Sequence, residues 1–215
     1  MFNLIKYRRL IHKNRNTRYV NLFKLIHQNQ CRSILEIGVY NGVHAMQMIL
    51  SASVNNPAET IHYYGFDLFE DLSETKLKDE YAKRPLPYAA IERKLKESGA
   101  EINLYKGNSK ETLPKNIADI GRVDLAFIDG GHSLETIKSD WNNVQKIMDE
   151  KTIVLFDDYF ICDNEELKMV CCNQLIDELD RSQYTVEFLE PCDSINKEWG
   201  ELIIKMVLVK KLAQN

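Results

Sequence analysis

Proline and glycine are scarce in this chain, five and nine residues among 215. No Gly/Ser/Pro-rich linker, low-complexity segment or repeat interrupts it, so a string of separate modules is excluded and one domain is expected. No apolar run approaches the ~18 residues of a membrane-spanning helix, which removes a membrane partner from the reading. The opening MFNLIKYRRLIHKNRN is broken by charge every few residues, unlike a secretory signal. The five cysteines at 31, 162, 171, 172 and 192 form no CxxC pair, and the adjacent Cys171 and Cys172 rarely bridge each other. They read as reduced thiols of a cytoplasmic protein, mostly small core hydrophobes. A basic excess is missing too. The 28 Lys/Arg against 32 Asp/Glu leave a net charge of -4, which speaks against a nucleic-acid partner.

Acid is missing from one place in particular. The first 35 residues hold eight Lys/Arg, among them Arg15 and Arg18, and no Asp or Glu. The rest therefore carries a net of -12. A basic leader precedes an acidic body.

What is present is an alternation of short β-rich runs with helix-period segments, the mark of a parallel sheet with crossover helices. Strands are expected at 33–37, 61–66, 102–105, 123–128, 152–156, 185–189 and 202–209. A helix carrying Tyr19, Leu22, Phe23 and Ile26 precedes the first strand, with Thr17 as its N-cap. Val43, Met46, Ile49 and Leu50 mark a helix after that strand. A third helix covers 89–98 and stops at Gly99. Ile137, Trp141, Val144 and Met148 form a stripe behind an N-cap at Ser133, and a last helix spans 164–179. The final two strands read as an antiparallel pair. The sum is a doubly wound, mostly parallel α/β sandwich of seven strands with an antiparallel last strand. Ligands of such folds bind outside the carboxyl ends of the strands. Glu36, Asp67, Asp129, Asp157 and Asp158 all fall in or just after those ends.

The segment Glu36-Ile-Gly38-Val-Tyr40-Asn41-Gly42 joins the first strand to its helix. Its glycines let backbone approach a ligand. The spacing is G-x-x-x-G, and the G-x-G-x-x-G of dinucleotide folds is absent, which disfavours a nicotinamide oxidoreductase. Asp67 ends the second strand, where a carboxylate can accept two hydrogen bonds from a ribose diol. Acid beside this loop suits a nucleoside carrying positive charge, such as S-adenosylmethionine (SAM), better than a pyrophosphate.

Three further carboxylates converge. Asp129 follows the fourth strand, and Asp157 and Asp158 follow the fifth, 28 residues later, about one βαβ unit. Without cations they would repel and raise one another's pKa values. A hard divalent cation, Mg²⁺ or alternatively Mn²⁺ or Ca²⁺, would resolve the conflict, and no Cys/His cluster here favours zinc. His132 shares the loop of Asp129 behind Gly130 and Gly131, near enough to take a proton from a metal-bound hydroxyl.

The run SILEIGVYNGVHA resembles the first motif of class I SAM-dependent methyltransferases, close to the loop of the catechol O-methyltransferase branch. The order of elements is similar to that family's seven-stranded sheet over roughly residues 30–210. The resemblance implies SAM contacts from Glu36, Gly38, Tyr40, Asn41 and Gly42, a ribose held by Asp67, and Asn108 and Ser109 near the adenine, with Asp129 at the cofactor's edge. FIDGGHS and LFDDY are similar to the metal-dependent sugar O-methyltransferases of the macrocin type. By that resemblance Asp129, Asp157 and Asp158 are metal ligands and His132 is the catalytic base. The catechol branch has Lys in place of His132 and Asn as the second member of the acidic pair, so the residues here lean to a sugar or glycoside acceptor. The alternatives are a catechol-like phenol as acceptor, or a SAM-binding module without turnover. Residues 1–30 are expected to form a basic helical arm ahead of a methyltransferase domain at 31–215. The acceptor is expected to be a small molecule, with room for a homo-oligomer. The connection 68–88, with the N-terminal helix, Tyr159 and Phe160, is the expected cover of the acceptor site. Trp199 is expected to plug the local core, with stacking on a sugar face as the other reading. His44 takes the place of a small hydroxyl residue of the catechol branch, and its role is left open.

Overall fold

A computed structural model of the chain describes residues 2–73, 75, 84–168 and 170–213. Helices α1 (Phe2–Lys13) and α2 (Tyr19–Gln28) precede β1 (Ser33–Ile37) and α3 (Val43–Ala52). There follow β2 (His62–Asp67), α4 (Tyr88–Lys96), β3 (Glu101–Lys106), α5 (Ser109–Ile120), β4 (Leu125–Ile128) and α6 (Leu134–Val144). The chain continues with β5 (Ile153–Ile161), α7 (Glu165–Lys168), α8 (Asn173–Glu178), β6 (Tyr184–Phe188), β7 (Asp193–Lys197) and β8 (Gly200–Lys211). The sheet order is β3-β2-β1-β4-β5-β8-β6, parallel except for β8, which runs antiparallel to β5 and β6.

The strands are nearly continuous apolar runs because both faces are covered. Side chains alternate across the sheet, so Ile34, Leu125, Phe127 and Leu155 meet α2, α3 and α4 through Leu22, Phe23, Met48, Ile91 and Leu95. Leu35, Ala126, Ile128 and Val154 face the other way, against Leu113, Ile137, Trp141 and Ile176 of α5, α6 and α8. Tyr7 and Leu10 of α1 belong to the first of these clusters. The basic leader thus packs on the sheet through its apolar stripe.

Several expectations need correction. Thr17 does not cap α2; its hydroxyl turns back to the carbonyl of Asn14 and Arg18 holds the N-cap position. The buried face of α3 is Ala45, Met48, Ile49 and Ala52, while Val43 stands exposed at the mouth of the β1 loop. Helix α5 was not foreseen between the third and fourth strands. It contains Pro114 and buries only Leu113 and Ile117. The helix expected at 164–179 is two short pieces, α7 and α8, broken near Cys171, whose φ is +60°. An eighth strand, β7, pairs with the first half of β8 off the main path. Most important for the site, β5 does not stop at Asp157 and Asp158. It continues to Ile161 beside β8, with a shift of register between Phe156 and Tyr159.

Candidate active site

The parallel strands β1, β2, β4 and β5 bring their carboxyl ends to one rim. At the first end of the cleft the β1 loop is held by backbone geometry. Gly38 has φ +95°, and a Cβ there would lie 2.0 Å from the carbonyl oxygen of Asp129. The glycine is required because two loops touch at this point, before any ligand is considered. Gly42 is left-handed with φ +65° and starts α3, and Tyr40 has φ +51°. The side chain of Asn41 accepts from the Val43 amide at 3.0 Å, and its carbonyl accepts from Lys94 Nζ at 2.8 Å.

Asp67 ties this loop down. Its Oδ2 accepts from the amides of Val39 and Tyr40, both at 2.8 Å, and its Oδ1 from Phe69 at 2.7 Å. Burial raises its pKa while these amides pull it back. With two lone-pair sites on each oxygen, Oδ2 is filled and Oδ1 half filled, which leaves one site for a ribose hydroxyl. Glu36 is 1% exposed and bonded to the hydroxyl of Tyr63 on β2. Burial pushes its carboxyl up to about 8, against the pull of Tyr63. Glu36 is thus a buried acid at the root of the β1 loop. Asn108 caps α5 by accepting from the Lys110 amide at 3.1 Å, and Ser109 opens that helix beside the Gly107–Asp67 backbone contact.

At the other end Asp129, Asp157 and Asp158 present carboxylate oxygens within 4.8 Å of one another. Consecutive residues of a regular strand point to opposite faces. The register shift in β5, with Asp158 at φ +58°, turns both members of the pair toward β4. His132 Nε2 lies 3.1 Å from Asp158 Oδ2. Cys171 stands close by, its amide donating to the His132 carbonyl at 2.8 Å. Burial and the charges of Asp157 and Asp158 hold the Asp129 carboxyl well above the ordinary range, and Asp157 is raised by burial and Asp158.

The sequence reading missed the cation that the structure brings here. Arg18, 9% exposed, donates from Nε to Asp157 Oδ1 at 2.6 Å and from Nη2 to Asp157 Oδ2 and Asp158 Oδ1, each at 3.0 Å. Its Nη1 pairs with Asp193 of β7, and its amide donates to the same carboxylate at 2.9 Å. Tyr19 donates its hydroxyl to Asp157 Oδ2 at 2.9 Å and stacks on His44 with ring centres 4.0 Å apart. The acid-free leader facing an acidic body was the available signal. Nothing local marked Arg18 among the eight basic residues of the leader.

One guanidinium does not neutralise Asp129, Asp157, Asp158 and Asp193. Among the described residues, the Asp129 carboxylate has no hydrogen-bond or ion-pair partner. An all-oxygen set with residual negative charge fits a hard divalent cation.

The expected cover is only partly in view. Glu74 and residues 76–83 lie outside the described residues. Residues 84–88 do run over the β1 loop, with the Leu86 amide donating to Tyr40 O at 3.1 Å. Tyr159 donates its hydroxyl to Asp177 of α8 at 3.0 Å, and the Phe160 ring packs with Cys162, Leu202 and Ile204. Trp199 is 40% exposed at the β7–β8 turn and plugs no core.

Comparison with known proteins places this geometry. A family model described as "Methyltransferase domain" matches residues 35–159, more than half of the chain. An uncharacterized protein of Acanthamoeba polyphaga mimivirus is 22% identical over 147 residues; the match takes in 61% of this chain and spans 64% of that relative's length. Among solved structures, the O-methyltransferase TomG of Streptomyces achromogenes, in complex with SAM, superposes with a TM-score of 0.61 at 15% identity, over 90% of this chain and 78% of TomG. The O-methyltransferase of Bacillus cereus in complex with SAH gives 0.57 at 13% identity, over 98% and 91%. The TDP-rhamnose 3'-O-methyltransferase of calicheamicin biosynthesis gives 0.58 at 16%, over 93% and 82%. At these identities the structures speak for the fold. With the family match over the β1 loop, both carboxylate loops and His132, they lead to one conclusion: the chain belongs to the methyltransferase domain family, in the class I SAM-dependent fold.

Proposed function

We propose that this chain is a SAM-dependent, divalent-cation-assisted O-methyltransferase whose acceptor is a hydroxyl of a small sugar or glycoside. The observation that carries the reading is the meeting of Asp129, Asp157, Asp158 and His132 at the rim beside the β1 loop. The O-methyltransferases of similar fold, one of them a TDP-rhamnose enzyme, support the reading without deciding the acceptor.

SAM supplies the methyl group, and a divalent cation lowers the pKa of a hydroxyl bound to it. The chain's own residues do the rest. Gly38 to Gly42 and Asp67 present backbone amides and a carboxylate to the nucleoside. Asn108 and Ser109 border the same end. Asp129 joins the two ends, since its carbonyl touches Gly38 and its carboxylate faces the acidic pair. His132 accepts the proton of the acceptor hydroxyl, and Asp158, 3.1 Å from Nε2, stabilises the imidazolium that forms. Catalysis is then mostly orientation, with the reacting oxygen and methyl held in line. The division into a leader at 1–30 and a catalytic domain at 31–215 is proposed in the same spirit, with the leader supplying Arg18 and Tyr19 to the site.

The test is transfer of label from methyl-labelled SAM to nucleotide-linked sugars, glycosides and catechols, with and without EDTA. Label on a sugar hydroxyl, lost on chelation, is the expected result. Label on catechols alone would overturn the acceptor class. Undiminished transfer in EDTA would overturn the role of the cation.

A further inference from the structure

The resemblance noted in the sequence makes Asp129, Asp157 and Asp158 equal partners of a metal ion. The hydrogen bonding around them is unequal. Asp157 accepts from Arg18 Nε on one oxygen and from both Arg18 Nη2 and the Tyr19 hydroxyl on the other. A carboxylate offers roughly four lone-pair sites, two on each oxygen, so Oδ2 is filled and Oδ1 half filled. The Asp157 side chain is 1% exposed, against 16% for Asp158. Asp158 meets a single N–H of Arg18 on Oδ1 and His132 Nε2 on Oδ2. Among the described residues Asp129 carries no hydrogen bond on its carboxylate.

Arg18 is itself firmly seated. It grips Asp157 with two parallel N–H donors, the strongest arrangement open to a guanidinium, and it is anchored from behind by Asp193 of β7. Removing it from Asp157 would leave a buried carboxylate facing the Tyr19 hydroxyl alone, an expensive arrangement.

We propose that Arg18 withholds Asp157 from the divalent cation, so that Asp129 and Asp158 are its carboxylate ligands and Asp157 is the anchor that fixes Arg18 and, through the bulge, the direction of Asp158. This rests on the cation-assisted reading of the preceding section. Arg18 is then a positioning residue. It makes the N-terminal leader and the β7 hairpin part of the cation site, although neither carries a ligand.

The experiment titrates metal-free protein with Mn²⁺ and follows the loss of the free-ion signal by electron paramagnetic resonance, with no turnover required. Asp129→Asn and Asp158→Asn should each weaken Mn²⁺ binding about tenfold or more, and Asp157→Asn at most about threefold. Arg18→Gln should tighten binding several-fold, because a competing positive charge leaves and Asp157 is released. In the Arg18→Gln background Asp157→Asn should then cost about tenfold, a coupling that a merely structural arginine would not produce. If Arg18→Gln does not fold, Tyr19→Phe frees one lone pair of Asp157 more gently, and the three Asp→Asn variants still decide the matter in the native background. Equal losses for Asp157→Asn and Asp129→Asn would overturn the proposal. Failure of the native chain to take up Mn²⁺ would overturn both this and the cation-assisted reading. SAM binding by calorimetry on the same sample tells that failure apart from loss of the methyltransferase reading itself.

Discussion

The two ends of the cleft are built differently. The nucleoside end is a backbone structure: a left-handed glycine pressed against Asp129, and a carboxylate, Asp67, spending its oxygens on three amides. Its β1 loop and Asp67 lie within about one βαβ unit of sequence. The carboxylate end is a side-chain structure, in which positions 18, 129, 132, 157, 158 and 193 are joined by charge across most of the chain. The first is rigid because main chain has little freedom left. The second holds its shape only while its charges stay matched.

Gly38→Ala should damage both ends at once, because the added carbon meets the Asp129 carbonyl and φ +95° is strained for alanine. We expect a loss of at least ~3 kcal/mol in chemical denaturation. A variant as stable as the native chain would refute the close contact. His132→Ala touches only the second end. It should lower kcat ~10²-fold with SAM affinity nearly unchanged, since general-base contributions are of that size. Equal loss in kcat and in calorimetric SAM affinity would blur the distinction between the ends. Asp67→Asn should act on the first end, weakening SAM binding about tenfold, with Mn²⁺ uptake unaffected; tenfold corresponds to about 1.4 kcal/mol.

A comparison of another kind, with pH, concerns Glu36. Its folded pKa of about 8 lies above the unfolded value, so the protonated, buried form contributes stability that is complete at low pH and is lost as pH rises through about 8. Thermal melts should therefore fall between pH 5 and 9, and Glu36→Gln should flatten that fall. Asp67, Asp129 and Asp157, whose carboxyls are raised in the same direction, add to the slope that remains. A profile unchanged by the substitution would remove Glu36 from this role.

The difference between the ends also decides how much of each could be read in the sequence. The β1 loop, Asp67 and the apolar strands announce themselves within ten residues, because glycine geometry and strand burial are local requirements. Asp129, His132, Asp157 and Asp158 were legible as a group through their places at strand ends. The bulge that aims the acidic pair was not, since it depends on pairing with β8, nearly fifty residues further on. Strand β7 escaped notice because Asp193–Lys197 has a single apolar residue and an exposed edge position. Helix α5 escaped for its sparse apolar stripe and its proline. Arg18 could not be singled out at all, because its partners lie 139 to 175 positions away.

Strand β8 has a consequence for how the molecule is made. It follows every other strand in the chain, yet lies between β5 and β6 and also carries β7. Strands β1 to β5 can assemble as they emerge during synthesis, with the SAM loop already in place. The far side of β5 stays an open edge until β8 arrives, and such edges recruit other chains. The order of synthesis thus completes the β1 loop and Asp67 first and the carboxylate end last.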